Sequence, residues 1–336
     1  METDLFKPRR YIPAFFGSAR VKAPSFPASD VEGWLQQLPK EQGIYLASDN
    51  SPYDHSEDNY DSQYGHSDGD AIEKTIGSFV LDAAGFIPQT VLEVACGTGH
   101  LTASLLYDGR IRRLVASDAS GRFLEITRRK VASLATRDRL DLVRLADTDF
   151  DAIPAGVFDA IMMRSALHHF VDFKGVAATL VNKLRPGGGL LMLEPRADFH
   201  IAGSLILKCA KANAAQMNLP WTEAHERHAS DFINAAEFYL NRTRDKTRAE
   251  DKYVFHLDEL LEIAHLTGTT LSCLGGEYNS TFSSNFRDFM RYCMSFDQTV
   301  LSGIMEASKG ELAFMDRAYE TRPRYAAAEW FMFRRK

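Results

Sequence analysis

From Asp70 onward, apolar residues recur in two rhythms that alternate along the chain. Ile72, Ile76, Phe79, Val80 and Ala83 stand at helical spacing and Gly85 closes the run, which predicts an amphipathic helix. Short apolar runs predict strands at 91–95, 113–117, 140–145, 158–163 and 190–193, the last after the turn Pro186, Gly187, Gly188, Gly189. Helical spacing fills 101–106, 122–134 and 173–184 between them. Parallel neighbours need a crossover, and each intervening helix supplies one, so the expected fold class is a doubly wound α/β sheet.

After Glu194 the rhythm breaks into a charge-rich helical section, 202–250. It resumes with a helix at 256–265, carrying Leu257, Leu260, Leu261 and Ala264 on one face, and a strand at 269–274. A second helical section, 277–325, contains Phe282, Phe286, Phe289, Met290, Tyr292 and Phe296; ordinary core, a hydrophobic substrate wall and a homodimer surface are all open readings of it. A strand at 326–333 closes the chain. Residues 1–70 are irregular and rich in proline, apart from a helix predicted over 28–38 by Val31, Trp34, Leu35 and Leu38, with Ser29 or Asp30 as its cap. Tyr53, His55, Tyr60, Tyr64 and His66 read as a solvated loop or as a lid over a site. The expected division is an extension over 1–70, a core over 71–196, a helical insertion over 197–255, and the end of the sheet over 256–336 with the insertion 277–325.

Composition narrows the function. The 336 residues are 45% hydrophobic and 25% charged, enough for a sizeable core and too apolar for general disorder. A net charge of -6 provides no global positive field, which disfavours nucleic acid and anionic membranes as partners. Arg122, Arg128, Arg129, Lys130, Arg137, Arg139 and Arg144 form a basic cluster whose default reading is a solvated face. The first eleven residues lack a secretory apolar run, and no stretch approaches the roughly 18 apolar residues of a membrane helix, so a cytoplasmic location is expected. Cys96, Cys209, Cys273 and Cys293 are too scattered for a zinc ribbon or a disulfide framework. His55, His66 and Asp68 match no metal-ligand spacing, and no metal is assigned.

The chemistry concentrates in residues 91–102, VLEVACGTGHLT. Gly97 and Gly99 let the backbone approach a ligand, and a helix starting near His100 presents free N–H groups and a positive dipole end. Glu93 lies in a buried strand just before this turn, where it needs a cationic or hydrogen-bond donor partner and would repel a diphosphate. The dinucleotide fingerprint also requires a third glycine, and Thr102 stands there instead. Asp118, closing the next strand, is placed to accept from both hydroxyls of a ribose.

Glu93-x-Ala95-x-Gly97-x-Gly99 resembles the acidic, glycine-rich loop of the class I S-adenosylmethionine-dependent methyltransferases, with Ala95 in place of the first glycine. Asp118 is similar to that family's ribose acid, and Ala146-Asp147-Thr148 to its element after the third strand. The segment from Phe158-Asp159 through Arg164 and Ser165 to Leu167-His168-His169 continues the match, and Leu184-Arg185-Pro186-Gly187-Gly188-Gly189 followed by Glu194-Pro195 completes it.

The resemblance implies a seven-stranded, mostly parallel sheet whose last strand runs antiparallel, and S-adenosyl-L-methionine as cofactor. Cofactor contacts then fall to Glu93, Ala95, Gly97, Gly99, Asp118, Ala119, Asp147, Thr148 and Arg164, with Phe123 or Leu124 near the adenine. His168 is the first candidate for a base and Glu194 the second, while Arg164 either lies near the transferred methyl or clamps an acidic group. The expected function is methyl transfer to a small or medium-sized metabolite at an oxygen, nitrogen or carbon atom. An RNA or protein methyltransferase, an NAD(P)-dependent oxidoreductase and a regulatory module without turnover are the alternatives.

Overall fold

Strands whose faces are both covered by helices need unbroken apolar runs, and that is what residues 90–195 supply. In a computed structural model, which describes residues 29–48, 69–249, 251–276, 281–319 and 327–336, these runs form the middle of one sheet. The helix α1 (Ser29–Leu35) leads into the short strands β1 (Lys40–Glu41) and β2 (Ile44–Leu46). Then α2 (Gly69–Ala84), β3 (Thr90–Val94), α3 (His100–Asp108), β4 (Arg113–Asp118), α4 (Gly121–Lys130) and β5 (Leu140–Arg144) follow in alternation. β6 (Phe158–Arg164), α5 (Phe173–Lys183) and β7 (Leu184–Pro195) complete the parallel part.

Two long helices come next, α6 (Ala197–Gln216) and α7 (Glu223–Leu240), then α8 (Leu257–Thr267) and β8 (Thr270–Gly275). Three further helices, α9 (Phe282–Tyr292), α10 (Gln298–Ala307) and α11 (Lys309–Tyr319), precede β9 (Ala328–Arg334). Among the described residues the sheet has nine strands in the order β1-β2-β5-β4-β3-β6-β7-β9-β8, with β9 antiparallel to both β7 and β8. The direction of winding reverses between β3 and β6, and the carboxyl ends of β3, β4 and β6 share one edge because the three strands are parallel.

The expected seven strands are all present, and two more extend the sheet at its β5 edge. The helix expected over 28–38 is present as α1. Its Val31, Trp34 and Leu35 are buried in the same cluster as Leu92, Val115 and Phe158, with the Trp34 ring edge-on to Phe158 at 6.5 Å between centroids. β2 pairs in parallel with β5, and Ser48 Oγ donates to Asp149 Oδ2 at 2.6 Å. Tyr53, His55, Tyr60, Tyr64 and His66, on which the lid reading rests, and Asp68, weighed with His55 and His66 as a metal spacing, lie outside the described residues.

β7 begins six residues before the expected 190. The Pro-Gly-Gly-Gly stretch was read as a turn, but Gly187 N–H donates to the Arg335 carbonyl and Arg335 N–H to the Gly188 carbonyl, which ties it to the end of the chain. Gly187 holds φ at +78°, a conformation in which a side chain would be strained. The helix expected over 122–134 ends at Lys130, where Arg128, Arg129 and Lys130 face the negative end of its dipole.

The helical sections on either side of α8 share one layer. Phe199 of α6, Phe232 of α7 and Phe282, Phe286 and Met290 of α9 are fully buried against one another, so these α9 residues are core rather than an exposed substrate wall or dimer surface. The basic residues of α4 and its surroundings also have structural work: Arg128 donates to the Gln42 carbonyl at 2.7 Å, Arg144 to the Ser48 carbonyl at 2.8 Å and Arg139 to the Gly109 carbonyl at 2.8 Å. Among the described residues no helix is long and apolar enough to cross a membrane.

The burial of α1 has a measurable consequence. Trp34→Ala removes a large core side chain and is expected to cost about 3 kcal/mol in urea unfolding, within the range for aromatic truncation. A change under about 0.5 kcal/mol would show that α1 is a detachable appendage.

Candidate active site

The β3–α3 turn is built from three left-handed residues in five. Ala95, Gly97 and Gly99 have φ of +55°, +53° and +82°. Ala95 thus adopts a conformation that glycine takes without penalty and that costs a side-chain-bearing residue on the order of 1–2 kcal/mol. The two glycines have different reasons. A Cβ on Gly99 would lie 2.7 Å from the Thr127 side chain, whereas one on Gly97 would point into open space. Gly99 therefore lets α3 and α4 pack closely, and Gly97 lies where a ligand can approach the main chain. Thr98 Oγ1 in this turn is buried without a hydrogen-bond partner.

Glu93, 2% exposed, accepts a 2.6 Å hydrogen bond from Thr102 Oγ1. Thr102 occupies the place of the third fingerprint glycine, so the residue that spoils the dinucleotide pattern is the one that satisfies the buried acid. Burial pushes the Glu93 carboxyl up to about 8, against the lowering effects of Thr102 and of the nearby Arg164 charge. Asp118 closes β4 and accepts from Gly97 N–H at 2.8 Å through Oδ2 and from Ser120 N–H at 2.9 Å through Oδ1. Its carboxylate thus ties the ends of β3 and β4 together. Ala119, half-buried, follows it.

Asp147 and Thr148 are exposed beyond the end of β5, with Thr148 N–H on Asp147 Oδ1 at 3.1 Å. Leu124 is wholly buried in the core, leaving Phe123, half-buried, as the aromatic residue on this side. Arg164 ends β6, half-buried, and the next residue, Ser165, holds φ at +55°.

Beyond it, Glu194 organises the segment between β6 and α5. This fully buried carboxylate accepts from the backbone N–H groups of Ala166, Leu167 and His168 and lies 2.7 Å from His168 Nδ1. Asp251, on the segment between α7 and α8, sits 3.4 Å from His168 Nε2. Burial opposes a charge on His168, but the two carboxylates prevail and raise its pKa to about 9. An imidazolium cannot accept a proton, and a carboxylate occupied by four donors is poorly placed to do so. The geometry therefore argues against the expected use of His168 or Glu194 as a base at neutral pH.

The strand edge thus brings together Glu93, Ala95, Gly97, Asp118 and Arg164 around the β3–α3 turn, with His168 and Glu194 farther along the same edge. Asp251 had no signal in the sequence, because it reaches His168 only through the fold of the α7–α8 segment.

Residues 92–190 match the family model described as a methyltransferase domain. The chain is 28% identical over 171 residues to a demethylmenaquinone methyltransferase of Symbiobacterium thermophilum, covering 50% of this chain and 65% of that one. It is 31% identical over 118 residues to the ubiquinone/menaquinone biosynthesis C-methyltransferase UbiE of Enterobacter sp., covering 34% and 47%. The chain thus spans about half to two-thirds of the length of these curated relatives. Among solved structures, the [4+2]-cyclase SpnF resembles it with a TM-score of 0.46 at 16% identity, covering 78% of this chain and 81% of that one. Residues 92–190 are thus similar to a methyltransferase domain, and the sheet that contains them has the mostly parallel, Rossmann-like order.

Two predictions follow from the turn. Ala95→Gly relieves the left-handed strain and should raise stability by about 0.5–1 kcal/mol once glycine's greater unfolded-state freedom is subtracted, measured by chemical denaturation. Glu93 is protonated in the folded chain up to about pH 8 and in the unfolded chain only up to its ordinary 4.5. Its contribution to stability is therefore complete below pH 4.5, declines as pH rises and is lost above 8. Glu93→Gln should flatten the dependence of unfolding free energy on pH in that window by a few kcal/mol in total; an unchanged slope would contradict the burial of the acid.

Proposed function

We propose that the chain transfers a methyl group from S-adenosyl-L-methionine to a small metabolite. The observation that carries this reading is the open approach to Gly97, bounded by the Asp118 carboxylate at the end of the neighbouring strand. When bound, the cofactor supplies a methyl already activated by its sulfonium, so the chain's task is to bind, align and limit water.

In this reading the backbone at Gly97 and the first turn of α3 take the amino-acid end of the cofactor. Asp118, beside its contacts to the Gly97 and Ser120 amides, accepts from the sugar hydroxyls. Asp147 and Thr148 line the adenine side, with Phe123 against the ring. Ala119 is a backbone neighbour of the sugar, and Ala95 narrows the space beside the methionine chain. Arg164 borders the transferred methyl. Glu93 exchanges its proton for the positive charge of the ligand's amino group. Glu194 positions the segment carrying His168.

The names of the two curated relatives, a demethylmenaquinone methyltransferase and a ubiquinone/menaquinone biosynthesis C-methyltransferase, support a small metabolite as acceptor. Against an NAD(P) reading stands Thr102, which occupies the third glycine position of the dinucleotide fingerprint and whose hydroxyl is engaged by Glu93. Against an RNA reading stand Arg128, Arg139 and Arg144, each spent on a backbone carbonyl of the fold.

Calorimetry with S-adenosylhomocysteine should show binding that Asp118→Ala and Gly97→Val weaken by at least about tenfold, the scale of one lost charge-assisted contact. At pH 7, titrations in buffers of different ionisation enthalpy should reveal release of up to one proton, absent in Glu93→Gln. Failure of the unaltered chain to bind removes the reading.

A further inference from the structure

The segment after β6 carries two adjacent histidines, and the fold brings a third polar group to them. One ligand atom from each of His168, His169 and Asp251 lies within 4.8 Å of the other two. Asp251 Oδ1 is 3.4 Å from His168 Nε2 and 3.5 Å from His169 Nδ1. We propose that these three side chains form a binding site for a divalent transition-metal ion of the zinc class, where the sequence alone assigned no metal.

The distances suit an ion held between the three groups as well as an ion pair. A charge-assisted N–H···O contact closes to roughly 2.7–2.9 Å, as the other nitrogen of the same ring does on Glu194 at 2.7 Å. Donor atoms about 2.0–2.1 Å from a tetrahedral zinc ion stand roughly 3.3–3.4 Å from one another. The contacts from Asp251 to both rings fall close to that spacing. Two imidazoles with one carboxylate also form a donor set that favours zinc and its neighbours over magnesium or calcium.

The surroundings keep the donors in place. Glu194 takes the Nδ1 side of His168, which fixes the ring and directs Nε2 toward Asp251, the arrangement of carboxylates behind metal-bound histidines. Glu194 is itself immobilised by three amides. On the opposite side, Lys252 N–H donates to the His168 carbonyl at 3.0 Å, and the buried Lys246 ammonium donates to the Lys252 carbonyl at 2.7 Å. Asp251 is thereby anchored by its neighbour before any ion arrives. The His169 and Asp251 side chains are 30% and 52% exposed, so an ion can enter from solvent.

Three protein ligands leave a fourth tetrahedral position for water or for an oxygen of an acceptor. That use of the fourth position rests on the methyltransferase reading; metal binding does not. On binding, the ion takes the place of the proton on His168 Nε2, and Nδ1 keeps its proton on Glu194.

The test uses the full chain, stripped with a chelator and kept reduced, and titrated with zinc chloride by calorimetry together with metal analysis. One ion per chain is expected, and cobalt chloride should give a tetrahedral visible spectrum without thiolate charge transfer. His169→Ala and Asp251→Ala should each weaken zinc binding by at least about tenfold, while S-adenosylhomocysteine binding is retained. No zinc binding, or binding untouched by either substitution, overturns the site and leaves an ion pair only. Zinc binding that depends on both residues, in a chain that does not bind S-adenosylhomocysteine, upholds the site and rejects the methyltransferase reading.

Discussion

Parallel pairing of β3 with β4 on one side and with β6 on the other decides where every candidate side chain lies. Register places Glu93 beside Ala116 and Met162, so the strands end together and their last residues open onto one crevice. Central burial makes the apolar runs necessary, and the reversal of winding between β3 and β6 leaves the crevice uncovered by a crossover. A polar group at this edge therefore needs a partner from an adjacent element. Glu93 finds Thr102 of α3, Asp118 finds the amides of Gly97 and Ser120, and Glu194 finds the amides of the segment after β6.

Each of these carboxyl groups connects backbone segments that the sheet alone leaves loose. Asp118 joins the ends of two strands, and Glu194 joins β7 to the residues following β6. Backbone strain gathers at the same edge, at Ala95 and Ser165, both non-glycine residues with positive φ. Such conformations persist where surrounding hydrogen bonds over-determine the chain, and here Cys96 N–H donates to Ser117 O while Ser165 N–H donates to Leu193 O. Rigidity in the sheet thus supports an edge whose geometry suits ligand approach.

The helical layer beyond β7 has its own economy. Two sections separated in sequence by α8 and β8 pack their phenylalanines into one core, because neither section alone buries an aromatic face of that size. The α7–α8 segment lies between this layer and the strand edge and carries Asp251 to His168. Its anchors are ammonium groups donating to backbone carbonyls, with the Lys246 ammonium also 4.5 Å from the centre of the Tyr253 ring.

Much of this was legible in the residues. Hydrophobic period alone separated strands from helices over 70–195, since a buried strand and an amphipathic helix impose different spacings on the same kind of side chain. The Glu93 to Gly99 turn was readable for the same local reason: positive φ selects glycine, and the acid at the strand end stands out in an apolar run. The contribution of residues 40–46 was not, because two- and three-residue strands leave no periodic trace and join the sheet only through β5. Nor was the state of His168, which depends on Glu194 and Asp251 arriving from distant parts of the chain. Local patterning determined the order of elements and the position of the turn, for these follow from each residue's own backbone and its near neighbours. Tertiary structure decided which acids face which bases, because electrostatic environment depends on distances that only the folded chain sets.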